Sequence, residues 1–279
     1  MGGLRLRFCL RQSLRLFALP VLAALLVACA NEASEYVERP VEQIYNDAYR
    51  ELQRGSYGRA AAEFEEVERQ HPYSIWARRA IIMAAYAHYL QNEYDTSILT
   101  ARRFLNLYPG DPQAIYVQYL VAQSLYEQIV DVSRDQRITE LAQAALLEVM
   151  RRAPDSDYAK DAQLKYDLTR DHLAGKEMEI GRYYLDRYSY LAAIKRFRRV
   201  IDNYQTTTHA PEALHRLAEA YLALGVEREA RLAAAILGHN FPASPWYRES
   251  YRLLVQRRLR PLKYRKTWIG RAWSSLFSS

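Results

Sequence analysis

Gly55-Ser56-Tyr57-Gly58-Arg59-Ala60-Ala61-Ala62-Glu63-Phe64-Glu65-Glu66-Val67-Glu68-Arg69-Gln70-His71-Pro72 reads as one turn followed by one helix. Gly55 opens it as a turn. Tyr57, Ala60, Phe64 and Val67 fall three or four residues apart and therefore share one helical face. Pro72 cannot continue the helix, and Ser74 stands where a new one can be capped.

The same pattern returns four times. Its copies are Tyr94, Ser97, Ala101, Phe104 and Pro109, then Asp111; Thr139, Ala142, Leu146, Val149 and Pro154, then Ser156; Tyr190, Ala193, Phe197 and Val200, with Gln205 in the proline position and Thr207 as cap; and Glu227, Ala230, Ala234, Leu237 and Pro242, then Ser244. The starting positions are 37, 45, 51 and 37 residues apart. A small residue at the alanine position lets two helices approach, and the next apolar residue fills the groove between them. One such hairpin cannot bury its apolar face alone, whereas stacked hairpins can. The pattern resembles tetratricopeptide repeats. It predicts an all-α solenoid of about five helical hairpins over residues 40–260, against the blander reading of an irregular helical bundle.

The remaining signals divide the chain. Arg5, Arg7, Arg11 and Arg15 precede an apolar run from Leu16 to Ala28. That run is too short to span a bilayer and has the shape of a secretory signal. Leu26-Val27-Ala28-Cys29 resembles the lipobox of bacterial lipoproteins, which implies cleavage after residue 28 and acylation of Cys29. The alternative is an ordinary signal peptide that contains a cysteine. Residues 29–39 are short and polar and read as a tether. Cys9 lies in the signal, so the mature fold has no disulfide or thiolate metal site.

The formal charge of +7 is unevenly spread. Four cations lie in the signal and eight lie at or beyond Arg252, where no acid occurs; without them residues 29–251 carry −5. The basic balance therefore does not argue for nucleic acid, and no nucleic-acid motif accompanies it. In the tail, residues 261–279, Trp268, Ile269, Ala272, Trp273, Leu276 and Phe277 form one helical stripe beside Lys263, Arg265, Lys266 and Arg271. This suits a membrane interface; the alternative is a disordered end.

Smaller expectations concern the helices. Gly175 and Gly181 predict a break in the stretch from Asp157 to Arg187, and Pro261 is expected to stop the last helix. The insertion Asp131-Val132-Ser133-Arg134-Asp135-Gln136 reads as a solvated loop or, alternatively, a partner contact.

No catalytic constellation emerges. The six histidines form no HExxH, and there is no phosphate loop and no GxSxG, so neither an enzyme nor a cofactor or metal is expected. The 23 tyrosines are unusual. Tyrosine combines area, rigidity and a hydrogen-bonding tip, and is enriched at interfaces. Tyr45, Tyr49, Tyr86, Tyr116 and Tyr119 sit on first helices of the repeats and are candidates for recognising an extended peptide.

Taken together the chain resembles the BamD family of outer-membrane assembly lipoproteins. The resemblance runs from Val41 to Leu254 and includes the lipobox. It rests on Ile44-Tyr45, Gly55-Ser56-Tyr57, His71-Pro72-Tyr73, the run Arg103-Phe104-Leu105-Asn106-Leu107-Tyr108-Pro109, Ser133-Arg134-Asp135 and Tyr183-Tyr184. It implies a periplasm-facing scaffold, lipid-anchored in the outer membrane. Its implied partners are unfolded outer membrane proteins, the periplasmic domain of a BamA-like barrel-forming insertase, and other lipoproteins of the machinery. It places client-peptide binding near Tyr45, Tyr49, Tyr86 and Tyr119, and insertase docking near Arg196. Two other classes stay open: another envelope adaptor with such repeats, in peptidoglycan or division coordination, and a cell-wall hydrolase.

Overall fold

Eleven helices follow one another in a computed structural model that describes residues Glu38–Leu262. The signal, Cys29, most of the tether and all but the first two residues of the tail lie outside the described residues. Helices α1 (Val41–Gln53) and α2 (Tyr57–Gln70) form the first hairpin, and α3 (Ile75–Leu90) and α4 (Tyr94–Leu107) the second. The third is α5 (Ala114–Glu127) with α6 (Arg137–Arg152), the fourth α7 (Asp157–Asp186) with α8 (Tyr190–Asn203), and the fifth α9 (Ala210–Ala223) with α10 (Glu227–Asn240). A last helix, α11 (Pro245–Gln256), packs on both α9 and α10 and caps the stack. Each helix packs on its predecessor, as a solenoid of hairpins requires, and no strand occurs among the described residues.

The five copies of the pattern occupy the same place in each hairpin. Ala60, Phe64 and Val67 are fully buried, as are Ala101 and Phe104, then Ala142, Leu146 and Val149, then Ala193, Phe197 and Val200, then Ala230, Ala234 and Leu237. Each large side chain so buried is worth about 1.5–3 kcal/mol relative to exposure. Helices α2, α4, α6 and α10 end two residues before their prolines, and α8 ends two before Gln205, so the missing proline changes nothing in the register. Caps follow the sequence in three of five cases. Ser74 Oγ accepts from the Ala77 N–H (3.0 Å), Ser156 Oγ from Ala159 (3.1 Å) and Ser244 Oγ from Trp246 (3.2 Å). Thr207 does not cap: its hydroxyl donates to the Tyr204 carbonyl (2.7 Å), and α9 starts only at Ala210, just before Pro211. Asp111 likewise sits before a delayed start, its Oδ1 accepting from the Gln113 N–H at 2.8 Å.

Two further expectations need correction. Helix α7 runs unbroken for 30 residues through both glycines. Gly181 is there for closeness and not for a bend. A Cβ on it would lie 2.3 Å from Phe197 Cε1, so the fully buried Phe197 ring sits directly on the α7 backbone. At Gly175 a Cβ would meet His209 Nε2 at 3.1 Å. The last helix ends at Gln256, not at Pro261. The chain turns over at Arg258 (φ +58°) and comes back to α10, where Leu262 N–H donates to the Arg231 carbonyl (3.2 Å) and Arg231 Nε donates to the Arg260 carbonyl (2.6 Å).

The insertion between α5 and α6 is solvated, with Asp131, Ser133, Arg134 and Asp135 exposed, and it is also held in place. Gln136 is buried, and its amide donates to the carbonyls of Asp131 (3.2 Å), Val132 (3.3 Å) and Arg134 (3.1 Å), closing the loop on itself. Asp131 Oδ1 accepts from the Ser133 N–H at 2.8 Å, and the Ser133 side chain, then this backbone bond, hold its carboxyl below the usual range. Lys176 of α7 then donates to the Ser133 carbonyl (2.8 Å) and pins the loop to the fourth hairpin.

Candidate functional site

First helices of successive hairpins also touch each other: α1 with α3, α3 with α5, and α5 with α7. They form the inner row of the stack, and the candidate tyrosines stand on this row. Two groups result.

The first group centres on Tyr45 of α1. Its half-buried ring lies 5.3 Å from Phe64, edge to face, and 4.9 Å from Trp76 at the start of α3. Burial raises the Tyr45 hydroxyl pKa, with nearby Arg79 opposing. Tyr45 is thus an inter-repeat packing residue as much as a surface one. Tyr49, one turn later, is 44% exposed.

The second group spans three hairpins. Tyr86 stacks on Tyr89 (6.5 Å between centroids), which in turn contacts Tyr94 (5.7 Å). Tyr116 and Tyr119 both pack on Tyr158 of α7, at 5.9 and 5.2 Å. Burial, then the neighbouring hydroxyls of Tyr86, Tyr158, Tyr119 and Tyr89, push the Tyr116 pKa up to about 12. A polar network laces the edge of this band. Tyr119 donates to Asp161 Oδ2 (2.6 Å), and Lys165, which is ion-paired with Asp161, donates to the Tyr119 oxygen (3.2 Å). Lys165 also lies over the rings of Tyr119 (5.5 Å) and Tyr126 (5.9 Å), where the ring faces attract a cation. Gln123 donates to Tyr89 (3.2 Å) and to Glu127 (2.7 Å). Burial, and then the bond to Asp161, raise the Tyr119 pKa.

The structure therefore joins Tyr86, Tyr116 and Tyr119 in one band and keeps Tyr45 and Tyr49 in another. Sequence reading missed Tyr158, Asp161, Lys165 and Gln123. A signal for Tyr158 existed. An aromatic stands two residues after the cap serine in Ser74-Ile75-Trp76, Ser156-Asp157-Tyr158 and Ser244-Pro245-Trp246. Each of these rings reaches back to a ring on the preceding first helix: Trp76 to Tyr45, Tyr158 to Tyr119, and Trp246 to His215 (5.2 Å).

Arg196 lies apart from both bands, on α8. Its Nη1 reaches Glu177 Oε2 at 3.2 Å, and Arg199 reaches Glu177 Oε1 at 3.0 Å. Two cations therefore share one carboxylate. Beside the pinned loop, a groove of about 750 Å³ is lined by Ile129, Val132, Leu168, His172 and His209 among others. Among the described residues no helix is long and apolar enough to cross a membrane, and no three His, Cys, Asp or Glu side chains are grouped to hold a metal ion.

Residues 37–236 match the family model YfiO, described as an outer membrane lipoprotein. The chain belongs to the YfiO/BamD family. A BamD-family relative from Caulobacter vibrioides, named outer membrane protein assembly factor BamD, is 52% identical over 245 residues, covering 86% of this chain and 80% of its own. The protein of the same name from Rickettsia prowazekii is 41% identical and covers 86% and 96%. That from Neisseria meningitidis serogroup A is 34% identical over 74% and 81%. The family match spans the inner row and both tyrosine bands, together with Arg196.

Proposed function

We propose that this BamD-family chain is a lipid-anchored scaffold for outer membrane protein assembly, which binds unfolded barrel proteins and the barrel-forming insertase and catalyses no bond chemistry. The observation that carries this reading is the 52% identity, over 86% of the chain, to a protein named outer membrane protein assembly factor. Cys29 carries the lipid and confines the molecule to the periplasmic surface of the outer membrane.

In this reading Tyr45, Tyr49, Tyr86 and Tyr119 receive an extended client segment with an aromatic end. Their rings suit the task because they are already held, Tyr45 by Trp76 and Phe64 and Tyr119 by Tyr158, so little side-chain freedom is lost on binding. At the other end, Arg196 and Arg199 share Glu177, and an acidic group of the insertase would find a partly uncompensated pair of cations there.

Fluorescence anisotropy with a labelled C-terminal peptide of a barrel protein tests the first contact. Titration with the insertase's soluble periplasmic domain tests the second. The account expects Tyr49→Ala to weaken the peptide alone and Arg196→Glu to weaken the insertase domain alone. A purified chain that binds neither sinks the reading.

A further inference from the structure

The inner row carries one cation that the fold leaves uncompensated. Nine Lys or Arg stand on α1, α3, α7 and α9, and α5 holds none. Seven of the nine are ion-paired with a carboxylate, and Arg170 donates to the Asn203 carbonyl (2.7 Å). Arg79 of α3 is the ninth, and among the described residues it has neither kind of partner. Its neighbour in sequence differs: Arg78 reaches Asp111 at 3.4 Å. Arg79 is exposed, and its guanidinium lies over the Trp76 ring, 5.6 Å from the centroid. It is also near enough to Tyr45 to oppose the rise that burial gives the Tyr45 hydroxyl pKa. Trp76 in turn packs on Tyr45 at 4.9 Å. A planar cation, a tryptophan and a tyrosine thus stand together in the first tyrosine band.

The second band is built the other way. Its cation, Lys165, is ion-paired with Asp161, and its side chain is only 16% exposed. Glu127 stands beside it with Gln123 and Tyr89 as donors, and no cation pairs with it among the described residues. A carboxylate arriving there meets two carboxylates and one occupied ammonium. A carboxylate arriving at Arg79 meets an unoccupied guanidinium. Two parallel N–H groups of that fork match the two carboxylate oxygens, and arginine can stay stacked on a ring while it makes those bonds.

We propose that Arg79 holds the terminal carboxylate of the client peptide, so that the client's last aromatic residue lies at Tyr45 and Trp76 and its chain runs back along the inner row toward Tyr86 and Tyr119. This rests on the reading that the inner row receives a client segment with an aromatic end, and it adds which end goes where. The last residue of a peptide bears its ring and its free carboxylate on one Cα. A site for it therefore needs an aromatic surface and an available cation within a side chain's reach of each other. The first band has both. The carboxylates of the second band repel such an end, and that repulsion sets the direction as much as the attraction does. Arg79 is exposed and bonded to nothing among the described residues, so its removal acts on binding and not on the fold.

The test is fluorescence anisotropy on the purified chain with a barrel-protein C-terminal peptide that ends in phenylalanine and is labelled at its N-terminus. The peptide is made once with a free C-terminal carboxylate and once with an amide. The acid should bind about fivefold more tightly than the amide at low salt, and high salt should narrow the gap. Arg79→Gln should weaken the acid by about the same fivefold and abolish its advantage over the amide, with unchanged thermal unfolding. Arg79→Lys keeps the charge and loses the fork, so it should restore part of the preference. Amidation leaves acidic side chains within the peptide untouched, so equal binding of acid and amide by the parent chain overturns the proposal while the client reading stands. So does a preference that survives Arg79→Gln, or one that is lost instead in Lys165→Gln, which would put the client's end in the second band. A chain that binds neither peptide sinks the client reading and this proposal with it.

Discussion

The second helices of the hairpins are nearly interchangeable, whereas the first helices are individual. In the second row the same positions hold Ala60, Ser97, Ala142, Ala193 or Ala230, then Phe64, Ala101, Leu146, Phe197 or Ala234, then Val67, Phe104, Val149, Val200 or Leu237, all fully buried. In the first row the corresponding surface is a mixed set of half-buried rings tied by Trp76, Tyr158, Asp161 and Lys165. Sequence repetition thus marks what builds the stack. What distinguishes one member of the stack from the next lies on the row that does not repeat.

The sharpest way to break this contrast is to damage the second row. Phe197→Ala should cost about 3–5 kcal/mol in urea unfolding, since it empties a site closed on one side by the α7 backbone. Gly181→Ala should cost about 1–3 kcal/mol by overpacking the same contact, although alanine favours helix. Combining Gly181→Ala with Phe197→Leu should cost less than the sum of the two alone, because the smaller side chain vacates the clash; strict additivity would show that the two residues do not share this contact.

The first row should respond differently. Tyr119→Phe removes the bond to the partly exposed Asp161 and should cost about 0.5–1 kcal/mol or less. Tyr49→Ala should change unfolding by under about 0.5 kcal/mol, since the side chain is 44% exposed, while client-peptide affinity falls in the anisotropy assay. A large stability loss at Tyr49 would move it into the structural row.

The smallest effect belongs to His215 on α9. It is buried against Trp246, and its Nδ1 lies 2.9 Å from Ser250 Oγ of α11. Burial, and then Arg216, lower its pKa below the ordinary 6.5, while Glu219, Glu249 and Glu212 oppose this. The folded state therefore prefers the neutral ring. Its contribution is present above pH about 6.5 and is lost as pH falls from there through the depressed value. Hydrogen exchange in α11 should rise as the pH is lowered through this window, after correction for intrinsic rates, and His215→Gln should flatten that dependence.

The same contrast explains what was legible in the sequence. Small and large apolar residues at fixed spacing mark the second row, and all five copies lie where that spacing puts them. Glycine misled, because Gly181 has two uses and only the Phe197 ring above it decides between a break and a close approach. Thr207 misled because its hydroxyl bonds backward to Tyr204, while Pro211 lets α9 begin later. In α5, Ile115, Tyr119, Ala122 and Tyr126 also fall three or four residues apart, yet only Ala122 of these is buried. Val117, Leu120, Val121 and Leu125 are the buried residues beside Ala122, and the other three sit half-buried at the rim. The helix is apolar nearly all round, so periodicity alone does not set its phase. Tyr119 and Tyr86 were readable as residues of the inner row. Their partners were not, since Asp161 and Lys165 reach Tyr119 from 42 and 46 residues away.

The central claim is that this stack joins the membrane's assembly machinery through its partners. A cross-linked pull-down from native outer membranes, with the lipidated chain as bait, tests it most directly. The account predicts the barrel-forming insertase as the dominant partner, lost from an Arg196→Glu bait and kept by a Tyr49→Ala bait. Another envelope protein dominating in its place, with the insertase absent, would contradict the account and leave only the fold.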